Sequence, residues 1–210
     1  MLSLFYSPGA CSMASHITLE ETGAPYEPKP TLIAKGENRS EAYLKINPRG
    51  KVPALRLDDG SVLTENVAIL GYLARRFPEK NLLPADALGQ ARATSTMAWF
   101  SNTVHPAFPH IVRAERYAED PAAQPSVKET GRKTFWSCLE EIDGMLKNKE
   151  WVMGSQYTVC DPYALVFYGW GARIDLPVKQ LASYTAHKDR MLTRPAVHKI
   201  LEREQSALLA

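Results

Sequence analysis

The chain has 210 residues, 45% of them hydrophobic and 23% charged, with a formal net charge of +2. That length admits one large domain or two small ones, and so small a charge, with no dense run of Lys and Arg, argues against nucleic-acid or membrane-surface binding. Cys11, Cys138 and Cys160 are too few and too far apart for a disulfide framework or a metal site, no apolar run reaches the roughly 18 residues of a membrane span, and the N-terminus lacks the basic start and long apolar stretch of a signal peptide; the expectation is a cytoplasmic protein in a reducing compartment.

"LSLFY" (Leu2–Tyr6) reads as a strand ended by Ser7-Pro8-Gly9, and a helix follows from about Cys11 to Glu21, stopped by Gly23. "YEPKPTLI" (Tyr26–Ile33) predicts a second strand, held to an edge by its prolines. Ser40 caps a short helix over "SEAYLKINP", and two apolar-alternating runs around Asp59-Gly60 predict a β-hairpin over Val52–Glu65. "TENVAILGYLARRF" (Thr64–Phe77) is an amphipathic helix, with Val67, Leu70, Leu73, Ala74 and Phe77 on one side. The order β-α-β-α-β-β-α fills residues 1–78, and the proline-broken stretch 79–87 reads as a linker.

Residues 88–210 are helical in pattern throughout. A long stretch from Leu88 to about Ala118 is interrupted at Pro106 and Pro109. Helices follow over Ser126–Lys147, Pro162–Ile174, Leu181–Leu192 and Pro195–Leu208. Thr158 and Asp161 stand three apart, the spacing of a capping box with Asp in place of Glu, which makes Asp161 a folding residue.

Three local features bear on chemistry. Cys11 stands where a strand turns into a helix, and the free N–H groups and dipole of a helix start favour an anion such as a thiolate. Cysteine is also a common buried filler, so an inert Cys11 and an acidic, functional one both stand at this level; Ser12 beside it offers a hydroxyl. Val52-Pro53 opens a strand with a residue that donates no hydrogen bond. It is either a simple turn or a cis bond that presents the Val52 backbone to an added peptide. Glu65 and Asn66 begin a helix; they, with Thr64, are either plain caps or a cradle for an α-amino acid end, with Glu65 on the ammonium. The motif "CSMA" lacks a second cysteine at its fourth position, which argues against a dithiol cycle.

The segments "YSPGACS", "INPRGKVPAL", "LTENVAIL" and "YTVCDPYALVF", in that order and across both halves of the chain, resemble those of glutathione transferases. "PGACS" and "NTVHPAF" are most like the bacterial cysteine-containing beta class. The resemblance implies a thioredoxin-like α/β N-terminal domain followed by an all-α C-terminal domain that completes an electrophile cleft. It implies glutathione as cosubstrate, no metal, a homodimer and a role in detoxification. By the same resemblance Cys11 contacts the glutathione sulfur with Tyr6 nearby, and Val52, ahead of Pro53, pairs with the cysteinyl backbone. Glu65 and Asn66 hold the γ-glutamyl end, Lys35 approaches the glycyl carboxylate, and His105 reaches over from the helical domain. Conjugation of glutathione to small hydrophobic electrophiles is the expected activity. The alternatives are a monothiol disulfide oxidoreductase or peroxidase using Cys11, and a non-catalytic ligand-binding protein of the same fold.

Overall fold

The computed structural model describes residues 1–209. Four strands, β1 (Leu2–Tyr6), β2 (Tyr26–Pro30), β3 (Ala54–Arg56) and β4 (Val62–Thr64), form one mixed sheet in the order β2-β1-β3-β4. β1 and β2 are parallel, joined through α1 (Ser12–Thr22), while β3 runs antiparallel to both β1 and β4. Pro28 and Pro30 therefore lie on an edge strand, where a missing N–H does least harm. The β3–β4 hairpin turns at Gly60, whose φ of 86° suits glycine, with Asp59 Oδ1 accepting the Ser61 N–H at 2.9 Å. Ser40 caps α2 (Glu41–Leu44) by accepting the Tyr43 N–H at 3.2 Å. α3 (Asn66–Arg76) closes the domain, so the thioredoxin-like order read from sequence is the order observed.

The remaining helices are α4 (Ala87–Trp99), α5 (His105–Val112), α6 (Gln124–Leu146), α7 (Cys160–Arg173), α8 (Ala182–Leu192) and α9 (Pro195–Arg203). Between α4 and α5 the chain does not break; it widens into a π-turn over Phe100–Val104, where the His105 N–H reaches back to the Phe100 carbonyl. Pro106 explains this, since it has no N–H to continue the ordinary ladder. α9 stops at Arg203, short of the expected Leu208, because Gln205 turns to a φ of 51° and Glu204 is drawn into the interior.

α7 is the centre of the second domain, buried at nearly every position. α1 is also buried almost all round, between the sheet, α7 and α9, which is why it shows no clear polar face and carries buried Ser15, His16 and Thr18. One apolar cluster runs continuously from Met13 and Ile17 of α1 and Leu70 of α3 to Phe100 and Phe167, so the two domains share a core. A second cluster, with Leu4, Leu19, Leu55, Ile69 and Leu73, supports the sheet from within the first domain.

Polar contacts fix how the halves meet. Arg194 makes a two-pronged pair with Glu21 at 2.7 and 3.0 Å, and the Val159 N–H bonds the Leu82 carbonyl at 3.0 Å. The His16 ring meets the Glu204 carboxylate at 2.8 Å with both side chains fully buried.

At the start of α7, Asp161 Oδ2 accepts the Thr158 N–H at 2.7 Å and the Thr158 hydroxyl at 3.2 Å, while the Thr158 hydroxyl accepts the Cys160 N–H at 3.3 Å. The reciprocal cap expected from the spacing is present. Asp161 does more than cap: its Oδ1 accepts the Val152 N–H at 2.8 Å and meets His187 Nε2 at 2.9 Å. Asp161→Ala would leave these donors buried and unpaired, at about 1–3 kcal/mol for each. We expect a loss of about 4 kcal/mol or more in urea unfolding, with catalytic rate per folded molecule nearly unchanged. A wild-type unfolding midpoint would show that the cap does not hold the fold.

Candidate active site

β1 ends at Tyr6 and the chain turns through Ser7–Ala10 into α1. Gly9 sits at φ 70°, a conformation few side-chain-bearing residues adopt, and two second-domain groups grip it. Its N–H donates to Glu204 Oε2 at 3.2 Å, and its carbonyl accepts the Trp170 indole N–H at 2.9 Å. Ser12 is fully buried; its hydroxyl accepts the Ser7 N–H at 3.1 Å and donates to the Ser7 carbonyl at 3.3 Å. The hydroxyl read from sequence as a donor to a ligand is thus committed to bracing the turn. Tyr6 packs its ring 4.3 Å from His16, and burial, followed by the Glu204 charge, pushes its phenol pKa up.

Cys11 stands at the N-cap position of α1, partly exposed. Its thiol donates to the Val52 carbonyl at 3.5 Å. The acidic thiol expected from a helix start is not what the surroundings produce. Burial pushes the Cys11 pKa up to about 12, against the lowering effect of its own N–H, that of Ser12 and the Lys51 charge; Glu65 adds to the rise. Burial raises Cys138 and Cys160 as well. Cys11 differs from them in access, being partly exposed where they are buried.

The opposite wall comes from the loop before β3. Tyr43 Oη and Asn47 Nδ2 both bond the Lys51 carbonyl, at 2.6 and 2.7 Å, and Asn38 Nδ2 bonds the Gly50 carbonyl at 2.8 Å. The Val52-Pro53 bond is cis. The Val52 carbonyl faces Cys11, and among the described residues none accepts the Val52 N–H.

Glu65 precedes α3 with φ 70° and ψ 127°, a strained backbone for a residue with a side chain, of the kind that persists where surroundings over-determine it. Its carboxylate is largely exposed, with Arg49 Nη1 3.9 Å away. Neither Thr64 nor Asn66 caps the helix, contrary to the simpler reading. Thr64 accepts from Arg49 at 3.2 Å. Asn66 turns inward, donating to the Cys11 carbonyl at 2.9 Å and accepting from Ser15 at 2.6 Å. The first N–H groups of α3 thus lack any side-chain cap, beside an acidic residue and one Asn66 hydrogen bond from the Cys11 carbonyl.

His105 opens α5 and sets its ring edge-on against Trp170 at 5.0 Å. Burial, then the Lys51 and Arg113 charges, lower its pKa to about 4, so it is neutral at pH 7. The Lys51 charge acts on both the Cys11 thiol and the His105 imidazole. Lys35 ends a short helical turn (Ile33–Lys35) as an exposed residue, and among the described residues no hydrogen bond or ion pair joins it to Cys11, Val52 or Glu65. Sequence reasoning missed Lys51, although it lies inside "INPRGKVPAL" next to Val52. It also missed Trp170, Glu204 and His16, which no local pattern marks. Two surface cavities, of about 280 Å³ between β2 and α9 and about 470 Å³ beside the linker, contain none of these residues.

Residues 9–76 match the family model described as "Glutathione S-transferase, N-terminal domain". Glutathione S-transferase GstA of Escherichia coli O157:H7 is 34% identical over 205 residues, which are 97% of this chain and 98% of that protein. A glutathione transferase homologue from sulfitobacter, solved with bound glutathione, superposes with a TM-score of 0.91 at 30% identity, covering 97% of this chain and 98% of that one. A bacterial beta class glutathione S-transferase from Sphingomonas chungbukensis gives 0.85 at 35% identity over 96% and 98% of the two chains. With likeness running almost end to end in both sequence and structure, the chain belongs to the glutathione S-transferase family.

Proposed function

We propose that this transferase conjugates reduced glutathione to small hydrophobic electrophiles. Residues 1–78 form its thioredoxin-like glutathione-binding domain, 79–87 its linker and 88–210 the helical domain that completes the electrophile cleft. The observation that carries the reading is the uncapped start of α3 beside Glu65, tied through Asn66 to the Cys11 backbone. The γ-glutamyl carboxylate takes the α3 N–H groups and its ammonium takes Glu65. The cysteinyl backbone pairs with Val52, whose N–H has no partner within the described residues and whose position Pro53 fixes. Lys35 and Lys51 supply positive charge toward the glycyl end.

The sulfur then lies at Cys11. Burial raises the Cys11 pKa and favours the protonated thiol at pH 7. It is a poor nucleophile there and a standing S–H donor, and a donor aimed at a sulfur anion favours the anion. The glutathione thiolate attacks the electrophilic carbon, the new C–S bond forms, and the leaving group departs with its electron pair. Neutral His105 lines the other side of the reacting sulfur, while Tyr6 and Ser12 hold the turn from behind. This protonation favours conjugation over disulfide exchange or peroxide reduction, both of which start from a Cys11 thiolate. The family reading brings with it a homodimer, a cytoplasmic location and a detoxifying role; no helix among the described residues is long and apolar enough to cross a membrane.

Glu65→Ala should weaken glutathione binding about tenfold or more, since a charged hydrogen bond contributes about 1.5–3 kcal/mol. Calorimetry giving an unchanged Kd would remove Glu65 from the site. Cys11→Ala should retain conjugation of 1-chloro-2,4-dinitrobenzene within about tenfold, while any disulfide-reducing activity disappears. Loss of both activities with glutathione affinity intact would make the protein sulfur directly catalytic and reverse the assignment. His105→Ala, measured beside it, reports whether the imidazole supports the thiolate, and Ser12→Ala whether the braced turn is needed to position it.

A further inference from the structure

Asn66 opens α3 directly after Glu65, but its side chain is buried where that of Glu65 is largely exposed. Asn66 Nδ2 donates to the Cys11 carbonyl at 2.9 Å, and its Oδ1 accepts the Ser15 hydroxyl at 2.6 Å. Ser15 is fully buried on α1, four residues after Cys11. A serine inside a helix commonly bonds the carbonyl four residues back, which here is that of Cys11. That carbonyl instead accepts the Ala14 N–H at 3.2 Å and the Asn66 amide, and the Ser15 hydroxyl crosses to α3. Two helix starts distant in sequence are thereby closed on each other by one amide and one hydroxyl.

The chemistry of position 66 suits this joint. An amide carries a donor and an acceptor on one planar group; an ionised Asp has no donor, and a hydroxyl ends one bond sooner. The network also fixes which way the amide faces, since turned over it would set Oδ1 against the Cys11 oxygen. Met13, Ala14 and Ile17 of α1 share an apolar cluster with Leu70 of α3. Apolar burial is non-directional, so it holds the helices together without setting how their first turns face each other; the hydrogen bonds add that direction. The N–H groups of Asn66, Val67 and Ala68 have no acceptor among the described residues. Position 66 therefore offers an anion its backbone, while its side chain is engaged inside the protein.

Resting on the glutathione-conjugating reading above, we propose that Ser15 and Asn66 are positioning residues. They hold the start of α3, where the γ-glutamyl end docks, in fixed register with Cys11, where the sulfur lies. Neither side chain touches glutathione. The expectation that Asn66 holds the γ-glutamyl end then applies to its backbone N–H alone. Docking at α3 delivers the sulfur to its place because the two subsites meet at this joint. A misplacement of about 1 Å at a reacting group can cost on the order of 10²-fold in rate, and a docking contact is less demanding than an attack distance.

Ser15→Ala and Asn66→Ala in the full chain, singly and together, test this by separating binding from turnover. Calorimetry should find each variant's Kd for glutathione within about threefold of the wild-type value, because Glu65 and the α3 N–H groups remain. The rate with 1-chloro-2,4-dinitrobenzene at saturating glutathione, per folded molecule, should fall at least about tenfold in each. The double variant should lose no more than either single one, since all three break the same joint. If Asn66→Ala weakens glutathione about tenfold or more while Ser15→Ala does not, the amide is a ligand contact and the inference is overturned. Unchanged rates in both variants, whatever their melting temperatures, would make the joint purely structural and overturn it too. Should Asn66→Ala not fold, Ser15→Ala carries the same two measurements alone. These outcomes leave the proposed function standing so long as the wild-type protein binds glutathione; failure of the wild type to bind removes that function and this inference with it.

Discussion

The site depends on how Gly9 is held. Its N–H and carbonyl are both bonded to the second domain, by Glu204 at 3.2 Å and Trp170 at 2.9 Å, and Cys11 follows two residues later. Glu204 is in turn fixed by His16 from inside α1, with both side chains fully buried. The turn that carries the thiol therefore has its position set by the domain interface as much as by β1 and α1. A shift of α9 or α7 moves the reacting position, because these bonds offer few alternatives in a dry interior. The shared core from Met13 to Phe167 keeps such shifts small.

The same enclosure decides the electrostatics. A helix terminus stabilises an exposed anion by about 0.3–1 kcal/mol, which amounts to less than one pH unit of acidity. Burial outweighs it and carries Cys11 up to about 12. The helix start still lowers the thiol relative to what burial alone would impose, through the N–H groups of Cys11 and Ser12. In the conjugation we propose, glutathione would displace the weak 3.5 Å contact between Cys11 and the Val52 carbonyl and give the S–H a stronger acceptor. Burial thus disfavours the charged form of both Cys11 and His105, and the Lys51 charge acts on each.

What the sequence revealed were features whose cause lies within a few residues. The Asp59-Gly60 turn, the Ser40 cap and the Thr158–Asp161 pairing were all readable, because each places a specific backbone need beside the side chain that meets it. The order of elements was readable from periodicity for the same reason. The behaviour of Ser12, Asn66 and Cys11 was not. Ser12 and Asn66 have free side chains in sequence terms, and only the fold shows that Ser7 and the Cys11 carbonyl claim them. The Cys11 pKa depends on solvent exclusion by groups tens of residues away, which no window on the sequence contains. His16 and Glu204 lie 188 residues apart and carry no motif.

The claim most open to test is that Cys11 is neutral before glutathione arrives. Iodoacetamide alkylation of the free protein, followed residue by residue by mass spectrometry from pH 6 to about pH 10, measures it directly. With burial in control, the Cys11 rate should climb with each pH step and show no plateau within that range, while Cys138 and Cys160 stay unmodified. A Cys11 rate that levels off at or below about pH 8 would mean that the helix start outweighs burial, and a thiolate would then be the resting state of the site.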